Sequence, residues 1–461
     1  MSTELWNLAA SDLVREFRAR RLSPVELLQA ILRRAEAANP AINALAFLDA
    51  ERALAAARAS AARWQRGQPA SPLDGVPVTV KDSMPAAGML SFSGSKACNA
   101  ERIPDAVDAP VVARLKEAGA VLLGKTTMPD FGLVASGISS RFGTTRNPWD
   151  LTRNSGGSSS GAGAAVAAGI GPLAIGTDGG GSIRIPSAFC GVFGLKPSYG
   201  RVPVHEPQPW VVAGPITRSV ADAALLMGVI SRPDPRDFTA LPYDPRDYLA
   251  GIDDGVRGAR IGLLEDIGFG LKVEPQVRDR LMHAARVFES LGAMVEPIAP
   301  LFADSPEPDF DRLLHLRTYL QFSAMTQDQR DAMLPALARW CADENAEPRE
   351  RFMQALVNVD ASRRATLAPF AVHEFLLAPV LAVLPFAAEL PWPPGGTAHH
   401  PFCFPFNMSE QPAASIHGGF SSQGWPVGLQ IIGRRFDDRG VLRAAHAYAQ
   451  ATGFLQRRPT L

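Results

Sequence analysis

The first stretch of the chain carries its apolar residues at helical spacing. Leu27, Leu28, Ile31 and Leu32 form one stripe. The segment opens with Ser23-Pro24-Val25-Glu26, a capping box with proline at the first helical position. Leu22 and Leu27 are spaced for a hydrophobic staple, and the helical pattern stops near Asn39-Pro40. From residue 70 onward, short apolar runs alternate with helical stretches. Val76–Val80 predicts a strand, Val111–Ala118 a helix closed by Gly119, and Val121–Leu123 a buried strand. The unit recurs where Val277, Leu281, Ala285 and Phe288 line a helix, Gly292 ends it and a strand follows near Met294-Val295. Ile261–Leu264, Leu376–Val380 and Val427–Ile432 are further strand candidates. This alternation predicts an α/β sandwich around a largely parallel or mixed sheet. Leu301–Thr366 departs from it, with helix formers, charges and no clear strand. It reads as a helical insertion or substrate-facing cap. No linker is long or polar enough to force a domain boundary, so residues 1–461 read as one domain.

Composition narrows the function classes. The chain has 461 residues, 46% of them apolar, enough for a large core and too apolar for disorder. Its 46 Lys and Arg balance 46 Asp and Glu, which argues against a protein that binds nucleic acid by displacing counterions. Cys98, Cys190, Cys341 and Cys403 are far apart in sequence, so neither a disulfide framework nor a zinc ribbon is implied. Met1–Ala10 lacks the basic and apolar regions of a secretory leader. Asn154–Thr177 is uncharged, but its Gly and Ser offer little surface for membrane insertion. Phe375–Pro394 holds Pro379, Pro385, Pro391, Pro393 and Pro394, too many for a helix; it reads as a buried strand and a loop. A cytoplasmic protein with no membrane or nucleic-acid partner is the expectation.

Several motifs fail on context. Gly119 to Thr126 matches the P-loop pattern, but a helix precedes Gly119 and the spacers Ala120, Val121, Leu122 and Leu123 are themselves strand-like. Gly157-Ser158-Ser159-Ser160-Gly161 matches the nucleophile elbow, which needs a strand before it; Leu151–Gly156 reads as polar and turn-like. A histidine base would have to come from His205 or His417 in turn-rich stretches, since His283 and His446 sit in helical patterns. His399, His400 and Cys403 lack a second cluster at ligand spacing. His373-Glu374 is not followed by the second histidine of a zinc-protease helix. Cys190 has apolar neighbours and reads as an inert thiol. No metal and no cofactor are expected.

The strongest signal is the pair Gly156–Gly163 and Gly176–Arg184. The second places Gly179, Gly180 and Gly181 directly before Ser182. Glycines leave N–H groups uncovered, and such groups ahead of a hydroxyl are what an oxyanion hole beside a nucleophile requires. A hydroxyl needs a base at neutral pH. With histidine disfavoured, the candidate is a lysine held neutral by burial. Lys81 ends the apolar run from Val76 and so stands at a strand's C-terminal end, where α/β proteins build sites.

These residues resemble the amidase signature family of serine hydrolases. The resemblance runs through Asp74–Asp82, Gly124–Phe131, Asn147-Pro148-Trp149-Asp150 and Ser155–Pro203, including Phe189–Pro197. It continues in Gly214-Pro215-Ile216-Thr217-Arg218 and Pro426-Val427-Gly428-Leu429-Gln430. It implies an α/β/α sandwich with a mixed, largely parallel central sheet. The chain then divides into an N-terminal helical segment (1–69), a signature core (70–300), the variable insertion (301–366) and the C-terminal part of the core (367–461).

By motif position, the resemblance implies Ser182 as nucleophile, Ser158 as a bridging cis-serine and Lys81 as base. It also implies N–H donors at Gly179, Gly180, Gly181 and Ser182, with Asp178 and Arg184 supporting them from behind. Gly179 departs from the family pattern, which usually has a side chain there. Met128–Ser140 departs from the pattern of the tRNA-charging glutamine amidotransferases.

The implied activity is hydrolysis of small neutral amides, aryl or alkyl, and of carbamates (urethanase chemistry). The alternative is an amidotransferase-like, partner-dependent subunit that releases ammonia. Met128–Ser140, His205–Val212 and Leu301–Thr366 are expected to border the pocket. They offer Met128, Phe131, Gly132, Leu133, Trp210, Leu313, Leu314, Tyr319 and Phe322. The expected partner is a small-molecule amide or carbamate, and a homodimer is compatible with the sequence.

Overall fold

The computed structural model describes residues 4–98, 103–342, 349–396 and 399–461. The insertion and the N-terminal segment are therefore covered except for residues 343–348 and 1–3, which lie outside the described residues. Among the described residues, eleven strands form one sheet. In chain order they are β1 Leu45–Leu48, β2 Pro77–Lys81, β3 Val121–Thr126, β4 Leu173–Asp178, β5 Phe193–Lys196 and β6 Val212–Thr217. Then come β7 Arg260–Leu263, β8 Met294–Pro297, β9 Phe375–Pro379, β10 Ala413–Phe420 and β11 Pro426–Gly433. Their spatial order is β1-β3-β2-β4-β6-β5-β10-β11-β9-β7-β8.

The sheet is mixed, but the expectation that it is largely parallel is corrected. β3-β2-β4 pair in parallel at one side and β9-β7-β8 at the other. Every other neighbouring pair is antiparallel. Parallel pairing needs a crossover, whereas strands joined by a tight turn must run antiparallel; β10 and β11 meet in this way, with Phe420 opposite Pro426.

The strands read from apolar runs at Val76, Val121, Ile261, Met294, Leu376 and Val427 all form, with ends displaced by a residue at most points. Lys81 is the last residue of β2. The capping box at Ser23 is present: the Ser23 hydroxyl accepts from Val25 N–H, and Glu26 accepts from Ser23 N–H at 2.8 Å. Its helix runs past Pro40 to Ile42. Pro40 has no N–H for the carbonyl one turn back, and Asn39 Oδ1 accepts from the N–H groups of Ala44 and Leu45 just beyond. The segment read as wholly helical, 1–69, thus also holds β1, an edge strand too short to show a period, between this helix and the next at Ala50–Gln65. The P-loop look-alike is resolved as expected, because its spacers Val121, Leu122 and Leu123 open β3.

The uncharged segment from Asn154 becomes the helix Ser160–Ala168, buried at every residue. Its small residues are a packing requirement: a Cβ on Gly161 would stand 2.2 Å from the Ala44 carbonyl oxygen and 2.5 Å from Thr127 N. Among the described residues, no helix is long and apolar enough to cross a membrane. Among the described residues of 301–366, helices run over Glu307–Ser323, Gln327–Asp331, Pro335–Cys341 and Arg349–Leu367.

Candidate active site

Lys81 leaves the sheet buried, with 1% of its surface exposed. Its Nζ donates to Ser158 Oγ at 2.7 Å and to Thr177 Oγ1 at 2.8 Å. Thr177 lies on β4, the parallel neighbour of β2. Burial pushes the Lys81 ammonium down to about 7, against the opposing pull of Asp178 and Asp82. Asp82 is buried beside it and accepts from the N–H groups of Phe92 and Gly94.

Ser158 sits in the turn before the Ser160–Ala168 helix, and its peptide bond with Gly157 is cis. The preceding segment is corrected: Asp150–Asn154 is a strand paired with Arg146-Asn147, in a two-stranded ribbon separate from the central sheet. Its polar residues suit a ribbon outside the core. Ser159 ties this turn to the second loop. Its N–H donates to the Ser182 carbonyl at 3.1 Å, and its hydroxyl to the Thr177 carbonyl at 3.2 Å.

The loop Gly179–Ser182 follows β4 and precedes the helix Arg184–Cys190. Ser182 is half-buried, while Ser158 and Lys81 are buried. Gly181 has φ +124°, and a Cβ there would lie 2.8 Å from Ile185 Cδ1 and 2.9 Å from Cys403 Cβ, so glycine is required. Of the four N–H groups expected as donors, that of Gly181 is already engaged. Gly181 N–H donates to Asp178 Oδ1 at 2.7 Å, because the carboxylate lies under the loop and claims it. Among the described residues, the N–H groups of Gly179, Gly180 and Ser182 have no acceptor. No hydrogen bond joins Ser158 Oγ to Ser182 Oγ in this state.

Asp178 is held in turn by Arg184, whose Nε and Nη2 reach it at 3.0 and 2.9 Å. Burial pushes the Asp178 carboxyl up, but the guanidinium outweighs it and holds the group well below the usual carboxylate range. Arg184 also donates to the Cys403 carbonyl, Gln430 Oε1 and Asn407 Oδ1. Thr177, Asn407 and Gln430 were not singled out from sequence. Thr177 and Gln430 fall inside quoted motifs, whereas Asn407 carries no signal of spacing.

The pocket-side residues divide. A Cβ on Gly132 would stand 3.2 Å from Ser158 Oγ and 3.4 Å from Met128 Cε, so Gly132 borders the serine and Met128 packs beside Gly132. Phe131 and Leu133 pack instead with Phe322, Met333 and Leu337. Tyr319 is 44% exposed and Phe322 is buried core. Leu314 is half-buried. Trp210 joins Leu313 and Phe404 around Phe310. Its ring lies 6.2 Å from that of Phe310, which stacks on Phe404 at 4.8 Å. A Cβ on Gly180 would be 3.5 Å from Phe310 Cζ. Phe310, missed in the sequence, is the insertion's closest approach to the loop among these residues.

The histidines stand elsewhere. His417 is in β10 and buried, not in a turn; burial pushes it down to about 3. Its Nδ1 accepts from Gly419 N–H. His446 faces Asp253, His283 lies near Phe454, and His205 is exposed. None of the four is hydrogen-bonded to Ser158 or Ser182. His399 is buried, and Cys403 donates to the Val380 carbonyl. Cys190 is buried with its thiol pushed up by that burial.

The family described as Amidase matches residues 26–442. A glutamyl-tRNA(Gln) amidotransferase subunit of Moorella thermoacetica is 37% identical, over 99% of this chain and 99% of that protein. An acylamidase of Rhodococcus erythropolis is 33% identical, over 98% and 97%. Among solved structures, a bacterial aryl acylamidase of the amidase signature family superposes with a TM-score of 0.90 at 30% identity, covering 98% of this chain and 99% of that one. A match this long, in sequence and in fold, places the chain in the amidase signature family of enzymes acting on carbon–nitrogen bonds.

Proposed function

We propose that the chain is a serine amidohydrolase of small neutral amides, aryl or alkyl, and of aryl carbamates. The observation that carries the reading is Lys81: buried, pushed toward neutrality and 2.7 Å from Ser158. Neutral Lys81 takes a proton through Ser158 from Ser182 as Ser182 Oγ attacks the carbonyl carbon. The N–H groups of Gly179, Gly180 and Ser182 receive the oxyanion. The relay returns the proton to the leaving nitrogen, the C–N bond breaks, and water hydrolyses the Ser182 ester. Asp178 and Arg184 position the loop without touching substrate.

The neutral preference rests on the partly exposed aromatic rings of Phe310 and Trp210, backed by the buried ring of Phe404 beside the glycine loop. A pocket of this kind favours apolar groups over the charged end of glutamine. The similarity to glutamyl-tRNA(Gln) amidotransferases supports a second reading, in which Ser182 releases ammonia from glutamine for a partner protein. One assay separates them: the purified single chain with aryl amides, alkyl amides, aryl carbamates and glutamine. The first reading expects the highest kcat/KM on an aryl or alkyl amide or carbamate. Glutamine as clearly the best substrate, or turnover only with a partner, would establish the second.

A further inference from the structure

The turn Phe402–Met408 meets the active site twice. Its aromatic side is Phe404, stacked on Phe310 above Gly180. Its polar side is Asn407, with 1% of its surface exposed. The Asn407 carboxamide makes contacts in opposite directions. Its oxygen accepts from Arg184 Nη2; because a guanidinium only donates, the nitrogen must face the other way. Asn407 Nδ2 lies 3.0 Å from the Asp178 carbonyl oxygen, 2.9 Å from Asp178 Oδ1 and 3.3 Å from the Trp210 carbonyl oxygen. One side chain therefore joins Arg184, the root of the glycine loop and the backbone of Trp210.

Trp210 needs such a tether. Its φ is +64°, a left-handed conformation that a bulky residue holds only when its surroundings fix it. It precedes β6 by two residues, and Val212 pairs with Asp178 in that strand. Sheet pairing fixes the distance between the two segments, and the carboxamide sets the orientation of the Trp210 peptide. An aspartate at 407 would face Asp178 with a second carboxylate, and an alanine would drop all four contacts.

We propose that Asn407 is a positioning residue for specificity: it sets where Trp210 stands relative to the Gly179–Ser182 loop, and through Trp210 it governs the preference for aromatic over small acyl groups. This rests on the reading of Ser182 as the nucleophile. The test uses two p-nitrophenyl carbamates, N-phenyl and N-methyl, which share a leaving group. Ser182 Oγ attacks the carbamoyl carbon, p-nitrophenolate departs, and the Ser182 proton passes to the relay. The second-order rate of release is measured with the site of modification read by mass spectrometry. Wild type, Asn407→Ala, Trp210→Ala and the double variant are compared.

The expected result is a phenyl preference in wild type that falls about tenfold in Asn407→Ala, with no further fall when Asn407→Ala is added to Trp210→Ala. Should Asn407→Ala not fold, Asn407→Gln, which keeps the amide but displaces it by a methylene, carries the same comparison. An equal loss on both probes, leaving the ratio unchanged, overturns the proposal while Ser182 stands as nucleophile. The same holds for a full further fall in the Trp210→Ala background. Absence of any Ser182 modification in wild type overturns both.

Discussion

The acidity of Lys81 should be visible in the rate. A lysine in water titrates near ~10.4, and burial brings Lys81 down to about 7. That difference corresponds to roughly 5 kcal/mol against the ammonium relative to the amine. The base works only when neutral, so kcat/KM should follow the unprotonated fraction. With the midpoint at about 7, that fraction is roughly one in eleven at pH 6 and ten in eleven at pH 8, a rise of about tenfold. Removing the negative charge of Asp82, which favours the ammonium, should move this limb toward acid in Asp82→Asn. The same depression makes the folded state bind fewer protons than the unfolded chain between about 7 and ~10.4. Lys81 therefore adds stability that is complete above the upper value and lost as pH falls through the lower. The assay is steady-state kcat/KM on a neutral aryl amide from pH 5.5 to 10, in buffers of constant ionic strength. A flat profile between pH 6 and 9, or a limb rising only above pH 10, would refute the assignment of a buried, near-neutral lysine as base.

Other expectations are independent of that profile. Ser182→Ala and Lys81→Ala should each lower kcat by about 10²–10⁴ or more with melting temperatures near wild type, and Ser158→Ala should cost somewhat less. The double variants should be hardly worse than the singles, because the groups act as a unit; additive losses would contradict the relay. Gly181→Ala should lose both activity and roughly 1–3 kcal/mol of stability, measured by urea unfolding, since its φ and the contacts with Ile185 and Cys403 leave no room for a Cβ. Arg184→Leu strands the buried Asp178 carboxylate and should destabilise by about 3–5 kcal/mol; an unchanged urea midpoint would show the pair to be dispensable.

Chain order alone carried much of the chemistry. The glycines before Ser182, the repeated serines around Ser158 and the apolar run ending in Lys81 are contiguous signals. Each follows from a local demand: uncovered N–H groups, small residues in a helix buried all round, a strand that delivers its last side chain to the sheet edge. The capping box at Ser23 and the strands at Val121, Ile261 and Val427 were legible for the same reason, since their periods and caps lie within a few residues.

What the tertiary structure decided depends on partners far apart in the chain. Arg184 meets Asn407 and Gln430, and Phe310 reaches Gly180, across separations that no periodicity records. The Gly181 N–H is engaged because Asp178 folds beneath it. The antiparallel centre of the sheet, the edge strand β1 and the burial of His417 within β10 are likewise consequences of which strands pair. Local sequence specifies that a segment is extended and apolar, whereas its direction and its neighbours are settled by the packing of the whole sheet.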